Sequence, residues 1–102
     1  MAKRKSKSVS YDERLYERLK NPKEAAAYLN AALKDEDPRV FLVALKDVAE
    51  AHGGLSKLAR ETELNRENLY RTLSTRGNPR WDSLVSILDV FDLHLTIKPI
   101  SA

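Results

Sequence analysis

Four breaks constrain this chain more than anything else in it. Asn21–Pro22, Asp35–Glu36–Asp37–Pro38, Gly53–Gly54 and Gly77–Asn78–Pro79 cut it into short stretches. Proline lacks an amide hydrogen and glycine enters left-handed backbone space without strain, so both punctuate helices. Between the breaks, apolar residues recur with the 3.6-residue period of a helix. Leu15, Tyr16 and Leu19 share one face of a first helix, with Ser10 or Asp12 placed to cap it. Ala25, Ala26, Tyr28, Leu29, Ala32 and Leu33 line a second, which Pro22 opens. Asp37 and Pro38 start a third that runs to about His52 and turns Phe41, Leu45 and Val48 inward. Gly53–Gly54 ends it, and His52 complements its C-terminal dipole. Two short helices follow, over 55–62 and 66–74. A last one over 81–91 carries Leu84, Ile87, Leu88 and Phe91, with Trp81 expected to pack its start inward and an outside contact as the alternative. The pattern predicts an all-α, compact helical domain.

Leu93-His94-Leu95-Thr96-Ile97-Lys98 departs from that period. It alternates apolar and polar strictly, as a half-buried strand does. A lone strand leaves its backbone groups unpaired, and no second strand is evident in the sequence. The same segment of a second copy is the economical partner, which makes 93–98 a dimerisation strand with Leu93, Leu95 and Ile97 at the interface. The alternative is an extended tail packed on the last helix.

At 102 residues the chain suits one domain over 10–98, preceded by a polar, basic tail over 1–9 expected to be disordered. Cysteine is absent, which excludes disulfides and thiolate metal sites. No apolar run approaches the roughly 18 residues of a membrane span, and no apolar stretch follows Met1-Ala2-Lys3-Arg4-Lys5 as a secretory signal would require. A cytoplasmic protein with no membrane role is expected. His52 and His94 lie far apart and in no metal-binding or catalytic spacing, so neither an enzyme nor a cofactor is expected.

Charge is distributed unevenly. Residues 1–8 hold Lys3, Arg4, Lys5 and Lys7. Residues 53–80 hold Lys57, Arg60, Arg66, Arg71, Arg76 and Arg80 against Glu61, Glu63 and Glu67. A local excess of cations is the footprint of a polyanion partner, although a solvated surface gives the same count.

The second cationic stretch has a pattern of its own. Ala59 is small enough for a close helix crossing, Leu64 can plug a tight turn, and Asn65 is a strong N-cap for a following helix. Leu69, Thr72 and Leu73 then face inward. Glu67, Tyr70, Arg71 and Ser74 fall on the opposite face, flanked by Arg66 and Asn68. Side chains with hydrogen-bonding tips on one helix face suit the major groove of DNA: Arg71 to guanine, Asn68 to adenine, Glu67 to the cytosine amine, Tyr70 to a thymine methyl or a phosphate. The amides around Leu55, Ser56 and Lys57 and the side chains of Lys57, Arg76, Asn78 and Arg80 are candidates for the phosphate backbone. An ordinary amphipathic hairpin with a charged solvent face is the bland alternative.

The Leu58–Ala59 pair, Leu64, Asn65–Arg66 and Leu69 resemble the Cro/phage-repressor (XRE) class of helix-turn-helix, the lambda-repressor-like fold, here over 54–74. Gly53-Gly54-Leu55-Ser56-Lys57-Leu58-Ala59-Arg60, Asn65 through Ser74 and Gly77-Asn78-Pro79 further resemble the HigA-like antidote proteins of RelE/HigB-type addiction modules. That resemblance implies an antitoxin: a dimeric repressor of its own operon that binds double-stranded DNA and neutralises a RelE/HigB-like toxin. A minimal helix-turn-helix does not need the N-terminal helices, which makes Leu15, Tyr16, Leu19 and Tyr28 candidate toxin contacts, with simple cover of the core as the equal alternative. A stand-alone phage or prophage repressor without a toxin, and a pure protein-interaction module, are the competing readings. The sequence departs from the class at Glu63, in a turn position that usually holds glycine, which calls either for a left-handed backbone or for a turn of another shape, and at Thr62, normally an apolar position and here expected to be only partly buried.

Overall fold

The breaks become turns, each with its own hydrogen-bonded stop. The computed structural model describes residues 12–74 and 76–101, and among them there are six helices and no strand. The helix α1 spans 12–19. The side-chain oxygen of Asn21 then accepts from the amides of Lys23 at 2.8 Å and Glu24 at 3.3 Å, with Pro22 in the first turn of α2 (Pro22–Leu33). A capped start of this kind satisfies amides that a helix otherwise leaves unpaired.

Asp37 does the same for α3 (Arg39–Ala51): its Oδ1 accepts from the Arg39 amide at 2.9 Å, and its carboxylate also holds the Arg39 guanidinium at 2.8 Å. That pairing lowers the Asp37 pKa, first through the side-chain hydrogen bond. Pro38 takes the cap position rather than the first helical one, a one-residue shift within the ordinary fraying of helix ends. Gly53 and Gly54 both take positive φ, 107° and 90°, and α4 (Gly54–Thr62) starts at once. A side chain at Gly53 would also strike the Lys57 stem, 2.7 Å away.

The most buried helix is α3, which contributes Phe41, Leu42, Leu45 and Val48 among others to the core. It packs against α2 and α4, while α4 also packs against α5 (Arg66–Thr72) and α6 (Trp81–Val90). Leu19, Leu45, Leu69, Leu73, Ile87 and Val48 are the largest side chains fully inside. The Tyr28 hydroxyl donates to Asp47 Oδ2 at 2.6 Å and ties α2 to α3. His52 caps α3, with its Nδ1 donating to the Val48 carbonyl at 2.9 Å and its ring against Phe91 at 4.7 Å between centroids.

Three expectations change. First, 93–98 is not a strand among the described residues. Asp92 takes a left-handed φ of 62°, its amide bonds to Asp89 O at 3.0 Å, and the Leu93 amide bonds to Leu88 O at 2.9 Å. This is a Schellman-type helix stop. Beyond it the segment is extended, and no backbone hydrogen bond links 94–101 to the rest of the described residues. An alternating pattern specifies a face, not a partner, and no partner strand lies in the described chain. Second, Trp81 does not pack inward: it is 67% exposed. Third, Leu19 is wholly buried in the core, so it cannot meet a toxin from the folded state, whereas Leu15, Tyr16 and Tyr28 are half-buried at its edge. The tail over 1–9 and the Ser10 cap lie outside the described residues.

Candidate nucleic-acid interface

The α4–α5 unit is built from local rules. Glu63 accepts the left-handed backbone that glycine usually supplies, with φ 62° and ψ 21°. For a residue with a Cβ this costs roughly 1 kcal/mol. Thr62 is only half-buried, and its hydroxyl donates to Leu58 O at 2.7 Å and accepts from the Leu64 amide at 3.3 Å. A polar residue therefore serves at that position because the turn gives it partners. Leu64 packs against the core as the plug. The Asn65 side chain accepts from the amides of Glu67 at 2.8 Å and Asn68 at 3.1 Å, which fixes where α5 begins. Because those bonds occupy its carbonyl oxygen, only the amide nitrogen of Asn65 remains to meet a ligand.

Leu69 and Leu73 anchor α5 inward, and Thr72 is half-buried beside them. Arg66, Glu67, Asn68, Tyr70 and Arg71 are all exposed. Ser74 is not on the helix: α5 stops at Thr72, and the half-buried Ser74 hydroxyl donates to the Arg71 carbonyl at 2.7 Å. It closes the helix end and lies beyond the outward face of α5.

Six of the sequence-predicted residues converge. Asn65, Asn68, Arg71, Arg76, Asn78 and Arg80 line one open basin of about 370 Å³ between α5 and the start of α6. Gly77 makes the convergence possible. A Cβ there would sit 1.9 Å from the Thr72 carbonyl oxygen, so only glycine lets the loop lie against the end of α5. Among the described residues Lys57, Arg66, Arg71 and Arg76 form no ion pair. Arg80 does, with Asp82 at 3.2 Å, and its guanidinium holds that carboxyl below the ordinary carboxylate range. Ser56 and Lys57 are exposed on α4 but do not line the basin.

Sequence reasoning missed Lys46. It comes from α3, yet its Nζ stands 5.5 Å from the centre of the Tyr70 ring, while the Arg66 guanidinium carbon stands 5.3 Å from it. Tyr70 thus carries two cations against its ring. No local signal marks Lys46, because the contact exists only once α3 and α5 are assembled. Ser83, which lines the basin from α6, was missed for the same reason.

Residues 10–99 match the family described as "Probable addiction module antidote protein". The chain belongs to that family. It is also similar to an uncharacterized protein of Haemophilus influenzae, 32% identical over 82 residues that cover 80% of this chain and 84% of the relative. No solved structure matches it significantly. An antidote is defined by what it counters, so membership of this family gives the chain an antitoxin role and, in general terms, a toxin as partner. No helix among the described residues is long and apolar enough to cross a membrane.

Proposed function

We propose that this antidote-family protein is the antitoxin of a type II addiction module and represses its own operon by sequence-specific binding in the DNA major groove. In this reading α4 and α5 form an XRE-type helix-turn-helix of the HigA-like kind, and the toxin is RelE/HigB-like. The protein works by binding rather than catalysis, in the cytoplasm, as a homodimer paired through Leu93, Leu95 and Ile97. The observation that carries the proposal is the outward face of α5. Glu67, Asn68, Tyr70 and Arg71 stand in solvent beside a basin edged by Arg71, Arg76 and Arg80. A DNA-reading surface needs polar tips for base edges and cations for phosphates side by side and accessible, and this adjacency is what supports the reading. Glu67, Asn68, Tyr70 and Arg71 take the bases. Lys57, Arg76, Asn78 and Arg80, with Ser56, Asn65 and Arg66 at the margins, take the backbone.

Fluorescence anisotropy with a duplex from upstream of the protein's own gene tests this. Affinity should fall linearly with the logarithm of salt concentration as counterions are released, and a scrambled duplex should bind more weakly. Absence of binding at low salt, or equal affinity for both duplexes, overturns the DNA reading and leaves an interaction module. Co-purification with the product of the neighbouring reading frame separates the antitoxin from a stand-alone repressor, which would bring down no toxin.

A further inference from the structure

Much of the exposed apolar surface among the described residues borders the segment beyond α6. Trp81 and Val85 edge one side of Leu95, Leu33 edges the other, and Ile97 follows Leu95 at the same parity of the chain. Two grooves run along 93–95 and share Leu88, Leu93, His94 and Leu95. One is edged by Leu33. The other, of about 200 Å³, is edged by Trp81 and Val85. On the wheel of α6, Ile87, Phe91, Leu84 and Leu88 fill the arc turned to the core, and Trp81 and Val85 extend that arc past what the core covers. The segment beyond Leu93 becomes steadily less buried: Leu93 is half-buried, Leu95 is 39% exposed and Ile97 is 98% exposed. Its backbone has no partner among the described residues.

We infer that this face is covered by the same segment of a second copy, in one register, with Leu95 on the two-fold axis and the partner strand lying on the Trp81–Val85 side. The inference rests on the homodimer reading above and adds to it the register and the surface. The apolar residues at 93, 95 and 97 must share a face, which leaves three antiparallel registers to compare. An axis at His94 pairs Leu93 with Leu95 but sets Ile97 against Phe91, whose position is already occupied in the helix cap. An axis at Thr96 pairs Leu95 with Ile97 but sets Leu93 against Pro99 and Lys98 against His94, with no carboxylate to meet the lysine. An axis at Leu95 pairs Leu95 with itself and each Leu93 with the other copy's Ile97. It also ends the ladder with each Lys98 beside the other copy's Asp92, an exposed carboxylate at the helix stop. Only that register satisfies the apolar face and the charges together. The two-stranded ribbon would be marginal alone; its apolar face lies over the groove edged by Trp81, a residue type favoured at the centre of interfaces.

The chain has no cysteine, so introduced thiols report cleanly. Facing residues of an antiparallel pair stand about 4.5–5.5 Å apart between Cα atoms, within the roughly 4.4–6.8 Å that a disulfide spans. On mild oxidation of the full chain, Leu95→Cys should therefore cross-link to itself. Leu93→Cys alone should not, because its own copy lies about 14 Å away along the ribbon. A mixture of the Leu93→Cys and Ile97→Cys proteins should cross-link as a heterodimer. Wild-type sedimentation should show a dimer, and Trp81 emission should shift to the blue as concentration rises, a shift that Ile97→Ser abolishes. A wild-type monomer at every concentration overturns the homodimer reading itself. A wild-type dimer in which Leu95→Cys fails to cross-link, or in which Leu93→Cys does so as readily, overturns this register and leaves the homodimer standing. A cross-linked Leu95→Cys dimer with unshifted Trp81 emission overturns the assignment to the Trp81–Val85 side.

Discussion

The α4–α5 pair and the 93–98 segment are both strongly patterned, yet one finds its partners among the described residues and the other does not. In α4–α5 each demand is met by a neighbour in sequence: Asn65 caps, Thr62 bridges, Leu69 and Leu73 fill the core. In 93–98 the side-chain alternation is as regular, but beyond Leu93 the backbone has no partner among the described residues and Ile97 stands in solvent. A helix carries its hydrogen-bond partners within itself and a strand does not. A pattern that closes on itself is a statement about the monomer. One that does not is a statement about an encounter.

The sharpest way to break this contrast is at the anchor of α5. Leu69→Ala should lower stability by about 2–5 kcal/mol, as fully buried leucines do, read as the midpoint of a urea transition at low protein concentration. Arg71→Ala should leave that midpoint in place and weaken operator binding by about 1–3 kcal/mol, relaxing preference at one base pair. Equal losses on all sequences would instead move Arg71 to the phosphate contacts. Asn65→Ala should cost about 1 kcal/mol through the lost cap, visible in thermal unfolding. Glu63→Gly should gain about 0.5 kcal/mol, since relief of left-handed strain slightly exceeds the added freedom of glycine in the unfolded chain; a loss there would mean that the Glu63 side chain contributes more than its backbone strain removes. Ile97→Ser belongs at the bottom of the scale. Its effect on the unfolding of the dilute monomer should stay within about 0.5 kcal/mol, while the concentration dependence of Tm should disappear. A large effect in dilute protein would show that the segment already packs within one chain.

How much of this was legible follows from the same distinction. The helices, their breaks, Asn65 as a cap and the inward Leu69 and Leu73 follow from neighbours a few residues away, and the structure has them where the periodicity puts them. At Glu63 the sequence leaves two outcomes, a left-handed backbone or a turn of another shape, and the structure has the first. Trp81 misled because it lies on the same helical stripe as Leu84 and Leu88, and periodicity cannot tell where along a helix the core ends. Leu19 misled for a related reason: an amphipathic face does not say whether it meets its own core or another protein. Ser74 was placed on the reading face by a helix drawn two residues too long, and the serine itself is what helps to end it. Lys46 and Ser83 were invisible because they reach the interface from other helices.

The missing side chain at Gly77 has a wider implication. With nothing between the loop and the Thr72 carbonyl, Arg76 and Arg80 are held at a set offset from α5. On the proposed DNA reading, the grip on the duplex and the reader of its letters are thereby manufactured as one part, yet they are chemically separable. Residues at 67, 68, 70 and 71 would then be exchangeable to suit a new operator while the clamp stays as it is. Related modules could then diverge in which genes they silence by changing four positions, without rebuilding the scaffold that finds DNA in the first place.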